Sequence, residues 1–316
     1  MDGLVAHHPD RRWTDLVGVR LPLQQAGMSG AATHELAAAV SSAGALGMIG
    51  IGRQSPAAVE HYLDGAAALT SAPVGATCIA PFVLPEVEEL LASRLAVVEF
   101  FYEWPDAGRV RPGVVTGWQI GSVDEAKAAV DAGCAYVIAQ GWEAGGHVRG
   151  TVPLAELVPA VREAVDVPIV AAGGIGTAAD LRRALRLGAD AVRVGTRFVA
   201  AAESNAHPDY VAALIGARAD DTEYTEAFGV GWPNAPHRVL ASAIVAAGRA
   251  DGDVGSTVAA DGRTTPMPRF GASVPTRTTV GDIAAMALYA GTSVGAVTRR
   301  QTAAEIVAEL TEGIDR

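Results

Sequence analysis

His147 is the residue whose setting most clearly asks for chemistry. It lies in the run Ala139 to Gly150, AQGWEAGGHVRG, directly after Gly145-Gly146 and just beyond an apolar, strand-like stretch, Tyr136-Val137-Ile138-Ala139. Glycine has no Cβ, so its N–H group can come close to a ligand. An imidazole beside such groups can exchange a proton or donate a hydrogen bond near neutral pH. A histidine presented in this way implies a bound substrate. His7, His8, His34, His61, His207 and His237 lack comparable surroundings and read as surface or packing residues.

The second chemistry is anion binding. AAGGIG (171–176) and RVGTRF (193–198) each close a short β-branched run. Gly173, Gly174 and Gly176 open a helical segment whose first N–H groups have no intrahelical acceptor. Gly195 and Thr196 add backbone N–H groups and a hydroxyl from the next turn, so the two turns together predict a phosphate site. Cys78 ends an earlier run without an adjacent base and reads as a core or rim residue. Cys78 and Cys134 match no metal or disulfide spacing. A carboxylate pair, a metal cluster or a Ser-His-Asp arrangement is not visible, and no metal is expected.

The elements that must position these residues follow a rhythm. Ala32–Gly44, Gly121–Gly133 and Gly176–Gly188 each open with Thr or Ser as an N-cap, carry an acid in the first turn and close on Gly. Short apolar runs sit at Leu21–Ala26, Leu46–Ile49, Val74–Ile79, Val97–Phe101, Val114–Gln119, Tyr136–Ile138, Pro168–Ala172 and Ala191–Val194. Most are separated by one helix-length segment, except across 103–112, which is too short for a full helix. Alternating strands and helices imply parallel pairing with right-handed crossovers. Eight such units predict an α/β protein, a (β/α)₈ barrel. The rival is a doubly wound open sheet, which lacks its usual GxGxxG after the first strand.

Past Ala200 the rhythm breaks into Gly-, Pro-, Asp- and Thr-rich stretches around one helical stretch, Arg238 to Gly248. We expect a barrel over 15–202, completed by helices within 276–316, and an added cap or substrate subdomain over 203–275. Val280–Ala290 and Thr302–Glu312 read as those last helices.

Hydrophobic residues make up 50% of the 316-residue chain, enough for a large core and against disorder. Twenty-four Lys and Arg against 35 Asp and Glu give a net charge of −11, which disfavours nucleic acid as a partner. Apolar runs stop well short of the roughly 20 residues a membrane helix needs. The N-terminal MDGLVAHHPDRRW carries no apolar signal-peptide core. A cytoplasmic protein with a small-molecule substrate is the expectation, with neither membrane nor nucleic acid as partner and with homo-oligomers left open.

These residues resemble the nitronate monooxygenase (2-nitropropane dioxygenase) family of FMN-dependent barrels, over about residues 15 to 312. AQGWEAGGH is similar to the family's AQGxEAGGH, and PIVAAGGIGTAADLRRALRLGADAVRVGTRF to its GGI…GA…GTRF phosphate-binding block. LQQAGMSG resembles the family's QAPM strand end, and HELAAAVSSAGALGMIG its first helix and second strand. The resemblance implies FMN as cofactor. Ala26, Gly27 and Met28 at the first-strand end would lie along the isoalloxazine ring. Gln140 and Gly145 would flank the ring and ribityl chain, and Gly173, Gly174, Gly195 and Thr196 would hold the phosphate. Gly146, Thr77, Arg193 and Val194 complete the implied cofactor set, and His147 corresponds to the active-site histidine.

The implied reaction is oxidation of an alkyl nitronate with oxygen to a carbonyl compound and nitrite. His147 would donate a hydrogen bond to the nitronate or act as base toward a neutral nitroalkane. The same motifs resemble flavin reductases that use NAD(P)H against enones, enoyl thioesters or quinones. A barrel that has lost catalysis and serves as a scaffold is the third reading. The chain departs from the nitronate pattern at several places. Gly27 stands for the usual proline, Thr77 for an asparagine, and Arg193 for a glutamine, placing a positive charge near the cofactor. VVEFFYEW lacks a histidine-bearing end, and GGHVRG has one residue more than GGHRG. Phe101, Tyr102, Trp142 and Trp232 are candidates for lining a pocket for a bulkier flat or acyl substrate.

Overall fold

Eight short runs become the parallel staves of one sheet: β1 (Leu23–Gln25), β2 (Gly47–Ile51), β3 (Val74–Ile79), β4 (Val97–Phe101), β5 (Val115–Ile120), β6 (Tyr136–Gln140), β7 (Ile169–Ala172) and β8 (Ala191–Val194). The structure is a computed structural model describing residues 11–258 and 264–314. His7 and His8 lie outside the described residues. Neighbouring strands pair in chain order from β2 to β8, and β8 pairs with β1. The ring closes through a parallel bridge between Gln24 and Leu46, where Gln25 N–H donates to the Leu46 carbonyl at 2.9 Å. An open doubly wound sheet would leave two edges free, so the fold is a (β/α)₈ barrel. Strands β2, β6, β7 and β8 are buried along their whole length. That burial is why they read as continuous apolar runs rather than as alternating ones.

The three repeated helices form as their ends dictate. They span His34–Ser42, Val123–Asp131 and Ala178–Arg186. Each is followed by a left-handed glycine: Gly44 (φ +99°), Gly133 (φ +93°) and Gly188 (φ +106°). Ser122 accepts the Glu125 N–H at 3.2 Å, and Thr177 and Asp180 make a reciprocal capping box. Thr33 differs, since its hydroxyl donates to the Glu35 carboxylate at 2.5 Å instead of capping an amide. Between β4 and β5 there is a single 3₁₀ turn, Ala107–Arg109, as the short spacing required.

Beyond the barrel a second hydrophobic cluster joins Tyr210, Leu214, Phe228, Val239, Met286 and Leu288. Two antiparallel sheets frame it. In one, His237–Leu240 lies between Thr222–Thr225 and the two-residue strand Gly146–His147. In the other, Asp253–Val258 lies between Thr264–Pro268 and Thr279–Gly281.

Two expectations fail here. The stretch Arg238–Gly248 begins as strand, and its helix spans Ala241–Arg249. The stretch Val280–Ala290 is not a helix: it starts in a sheet, turns at Gly281 (φ +125°), makes a 3₁₀ turn at Ile283–Ala285 and bridges Val239 through Tyr289. The physical reason is its burial. Ile283, Ala285, Met286, Ala287, Leu288 and Ala290 are all buried, whereas a surface helix would turn one face to water. The final helix, Ala303–Leu310, forms behind a Thr302–Glu305 capping box and packs on helix His34–Ser42, closing the outer layer. Among the described residues no helix is long and apolar enough to cross a membrane.

Candidate active site

The C-terminal ends of the barrel strands surround a cavity of about 540 Å³. Ala26, Gly27, Met28, Thr77, Gln140, Gly145, Gly146, His147, Gly173, Gly174, Arg193, Gly195 and Thr196 all lie on its wall. Val194 is the exception. Its side chain is buried in the barrel core, and its carbonyl accepts the Ala26 N–H at 2.9 Å.

His147 leaves the barrel on the strand Gly146–His147, opposite His237 in the antiparallel sheet beyond it. Its Nε2 is buried with no hydrogen-bond partner among the described residues, and the same is true of Gln140 Oε1. Gln140 Nε2 donates to the His147 carbonyl at 2.9 Å, which ties β6 to the strand that carries the imidazole. A buried polar atom left unpaired costs about 1–3 kcal/mol, so two of them on one cavity wall fit a ligand that would complete them.

Burial pushes the His147 pKa down to about 3, with the neighbouring His237 adding to the effect. The ring is therefore neutral at pH 7 and acts as a hydrogen-bonding group, not as a stored proton. His237, 5.3 Å away by ring centroids, is fully occupied. It meets the Ala235 carbonyl at 2.9 Å through Nδ1 and the Phe228 N–H at 3.1 Å through Nε2, so it is a structural pin. The additional residue in GGHVRG, Val148, also belongs to this join, since its N–H donates to the Pro236 carbonyl at 2.9 Å.

The unpaired donors beside the cavity come from the turn after β7 and from the start of the short helix Thr196–Val199, not from the start of helix Ala178–Arg186. Asp180 takes the N–H groups of Gly176 and Thr177 at 3.2 and 3.1 Å, so Gly176 has no free donor to offer. Among the described residues no protein acceptor takes the N–H groups of Gly174, Gly195 or Thr196. Gly173 (φ +111°) and Gly174 (φ +68°) hold left-handed conformations, and a Cβ on Gly173 would lie 3.0 Å from both Ala144 N and Gly141 O. These free donors at the ends of adjacent strands suit a phosphate.

Under the cavity lies a polar network that the motif reading missed. Glu99 of β4 is fully buried and accepts from Gln24 Nε2 and Thr77 Oγ1, both at 2.8 Å, and from Tyr136 Oη and Arg193 Nη2. Arg193 also donates to Gln24 Oε1 at 2.7 Å and to Gln119 Oε1 at 2.6 Å. Arg193 does stand on the cavity wall, as expected, but its charge is matched by the buried Glu99 carboxylate. The signal was a lone glutamate inside the apolar run VVEFF. Gly27 belongs to the same floor: a Cβ there would lie 2.5 Å from Thr77 Cβ and Oγ1, so the unusual pair at 27 and 77 is mutually fitted.

Of the four aromatic candidates, Phe101 and Trp232 line the cavity. Tyr102 backs them, edge-on to Trp232 at 4.7 Å. Trp142 does not line it; the ring is 41% exposed beneath Arg238, whose guanidinium lies 4.9 Å from its centroid. Cys78 is buried in the core away from the wall, and both cysteines are free thiols. Among the described residues no cluster of His, Cys, Asp or Glu is placed to hold a metal.

The sequence model for nitronate monooxygenase matches residues 10–111 and 86–313. The chain belongs to the nitronate monooxygenase family. It is an oxidoreductase built on that family's (β/α)₈ barrel. One curated relative is (3aS,4S,5R,7aS)-5-hydroxy-7a-methyl-1-oxo-octahydro-1H-indene-4-carboxyl-CoA dehydrogenase of Rhodococcus jostii, 35% identical over 254 residues, covering 78% of this chain and 70% of that protein. A probable nitronate monooxygenase of Staphylococcus aureus is 29% identical over 273 residues, covering 69% and 75%. FabK from Thermotoga maritima superposes with a TM-score of 0.77 at 28% identity, covering 96% of this chain and 95% of its own. Nitroalkane oxidase from Streptomyces ansochromogenes gives 0.75 at 29%, covering 96% and 97%.

Proposed function

We propose that this chain is an FMN-dependent nitronate monooxygenase that oxidises an alkyl nitronate with oxygen to a carbonyl compound and nitrite. The observation that carries this reading is the buried His147 Nε2, which has no hydrogen-bond partner among the described residues; burial also lowers the ring's pKa and favours its neutral form. A nitronate already carries its negative charge, so it needs a hydrogen-bond donor rather than a strong base. A ring held near pKa 3 is a weak base toward a neutral nitroalkane, and at pH 7 it is not protonated for delivery to a reduced alkene. The unpaired Nε2 is therefore assigned as the N–H that grips a nitronate oxygen.

The residues present fit FMN. Gly174, Gly195 and Thr196 would hold its phosphate through their free N–H groups. Ala26, Gly27 and Met28 would support the ring system, and Gln140 Oε1 would accept from it. When bound, FMN would supply the electron acceptor and the route to oxygen. The protein's part is to position the nitronate, shut out water and keep His147 neutral. The cap over 203–275 would supply the outer wall of the substrate site.

A second reading, reduction or oxidation of an acyl thioester with a nicotinamide as partner, draws on the CoA-linked relative at 35% identity and on the aromatic mouth formed by Phe82, Phe101 and Trp232. One experiment separates the two: the FMN-loaded protein is mixed without oxygen with propyl-2-nitronate and, separately, with NADH and NADPH. Bleaching of the flavin by nitronate alone supports the monooxygenase. Rapid bleaching by a nicotinamide overturns it in favour of a reductase, and a protein unable to take up FMN revives the scaffold reading.

A further inference from the structure

The ring most closely engaged with His147 belongs to the cap. Trp232 stacks on the imidazole with centroids 3.8 Å apart and planes 26° from parallel. It sits in the loop 229–234, GVGWPN, where Gly231, Pro233 and Asn234 are exposed while Trp232 is half-buried. The loop is tied down at several points. Val230 N–H donates to Phe270 O and Ala272 N–H to Val230 O, both at 3.0 Å. From the barrel side, Arg53 just past β2 donates to the Gly231 carbonyl at 2.9 Å. The same guanidinium lies 3.5 Å from the Phe82 centroid, and Phe82 meets Trp232 edge-on at 4.8 Å.

The other flank is closed by Tyr102, edge-on to Trp232 at 4.7 Å and to His147 at 5.9 Å. Tyr102 holds φ +82°, a left-handed conformation that strains an L-residue and that its packing must offset. Edge-on and stacked aromatic pairs contribute beyond their buried area, and the pairs Tyr102 makes with Trp232 and His147 offset this strain.

We propose that Trp232 is a positioning and specificity-determining residue. It fixes the plane of the His147 ring, keeps water from Nε2, and bounds the outer side of the cavity so that compact, flat substrates are admitted over bulky ones; Arg53 latches it to the barrel. The titratable and charged groups around the imidazole are His237 across the strand pair, the phenols of Tyr102 and Tyr289, and Arg149 behind the Tyr102 ring. Removal of Trp232 leaves these in place and opens the ring to water, which raises the proton affinity that burial had lowered.

The test reads His147 directly, by NMR of protein labelled in its histidines, with and without bound FMN. Wild-type His147 is expected to stay neutral from about pH 8 down to about pH 5, against an ordinary midpoint near 6.5. Trp232→Ala is expected to bring its midpoint into that window, Trp232→Phe to keep it out, and Arg53→Gln to give a smaller rise, with the melting temperature recorded for each. An unchanged His147 titration in both Trp232→Ala and Arg53→Gln overturns the proposal, as does a Trp232→Phe variant that behaves like Trp232→Ala.

The specificity half rests on the nitronate reading. In Trp232→Ala the ratio of kcat/KM for propyl-2-nitronate to that for cyclohexyl nitronate should fall by about tenfold or more, the size expected for a reshaped apolar pocket. An unchanged ratio refutes that half. If no variant and no wild-type protein turns over a nitronate, the functional reading has failed, and the NMR titration still decides the positioning role.

Discussion

Glu99→Gln tests the barrel floor. The Glu99 carboxylate is fully buried and accepts from Gln24 and Thr77 at 2.8 Å, from Tyr136, and from Arg193, which is itself 5% exposed. An amide in its place keeps the shape but removes the charge. Arg193 then retains the two neutral acceptors Gln24 Oε1 and Gln119 Oε1 at 2.7 and 2.6 Å. Breaking a buried pair by removing one partner costs about 3–5 kcal/mol, because the other charge stays buried without compensation. For a chain of this size that corresponds to roughly 5–8 °C in melting temperature. Urea unfolding of the flavin-free protein, followed by circular dichroism, measures the loss as a fall in midpoint at constant slope. The double variant Glu99→Gln/Arg193→Gln removes both charges and should recover about 2 kcal/mol or more relative to the sum of the single losses. A single-variant loss below about 1 kcal/mol, or a double variant that merely adds the two losses, would refute the argument that a compensated ion pair supports the floor. Because Thr77, Gln119 and Arg193 also line the cavity, the single variant should weaken FMN retention as well.

Further expectations concern the site itself. His147→Asn should keep bound flavin but lower kcat/KM by about 10²–10⁴ in steady-state assays, and unchanged turnover would exclude the residue from the chemistry. Both His147, near pKa 3, and His237, also lowered by burial, are folded in the neutral form. A depressed folded pKa contributes stability that is fully present above the unfolded value near 6.5 and is lost as pH falls toward the folded one. Each tenfold in protonation is worth about 1.4 kcal/mol, so urea midpoints should drop steadily from about pH 6.5 to 4, and a flat profile would contradict the burial of these rings. Gly27→Ala pushes a Cβ to 2.5 Å from Thr77 and should cost about 1–3 kcal/mol with weaker FMN binding, read by thermal melts and flavin fluorescence titration. Wild-type values for both would mean that the turn shifts freely.

The barrel was legible because its signals are local. Thr177 with Asp180, Ser122 with Glu125, and the left-handed Gly44, Gly133 and Gly188 follow from residue type at fixed offsets. What escaped is what depends on distant partners. Val280–Ala290 has the composition of a helix, but Ser256 and Val239 claim its backbone from the two antiparallel sheets. Gly176 looked like an anion donor until Asp180, four residues on, took its N–H. Trp142 and Trp232 look alike in sequence, and their positions relative to Arg238 and His147 send one to the surface and the other onto the imidazole. His237 carried no local signal, since its importance comes from standing across the ladder from His147. Glu99 could have been noticed, because a carboxylate within a strand buried on both sides demands a partner.

In the function proposed above, the cavity takes FMN and the phosphate rests on the N–H groups of Gly174, Gly195 and Thr196, which have no acceptor among the described residues. The most direct measurement is equilibrium titration of the flavin-free protein with FMN and with riboflavin, which lacks the phosphate. Hydrogen bonds to a charged group contribute about 1.5–3 kcal/mol each, so FMN should bind one to one and riboflavin at least about a hundredfold more weakly. Equal affinity for the two flavins, or binding of neither, would mean that these N–H groups do not hold a flavin phosphate.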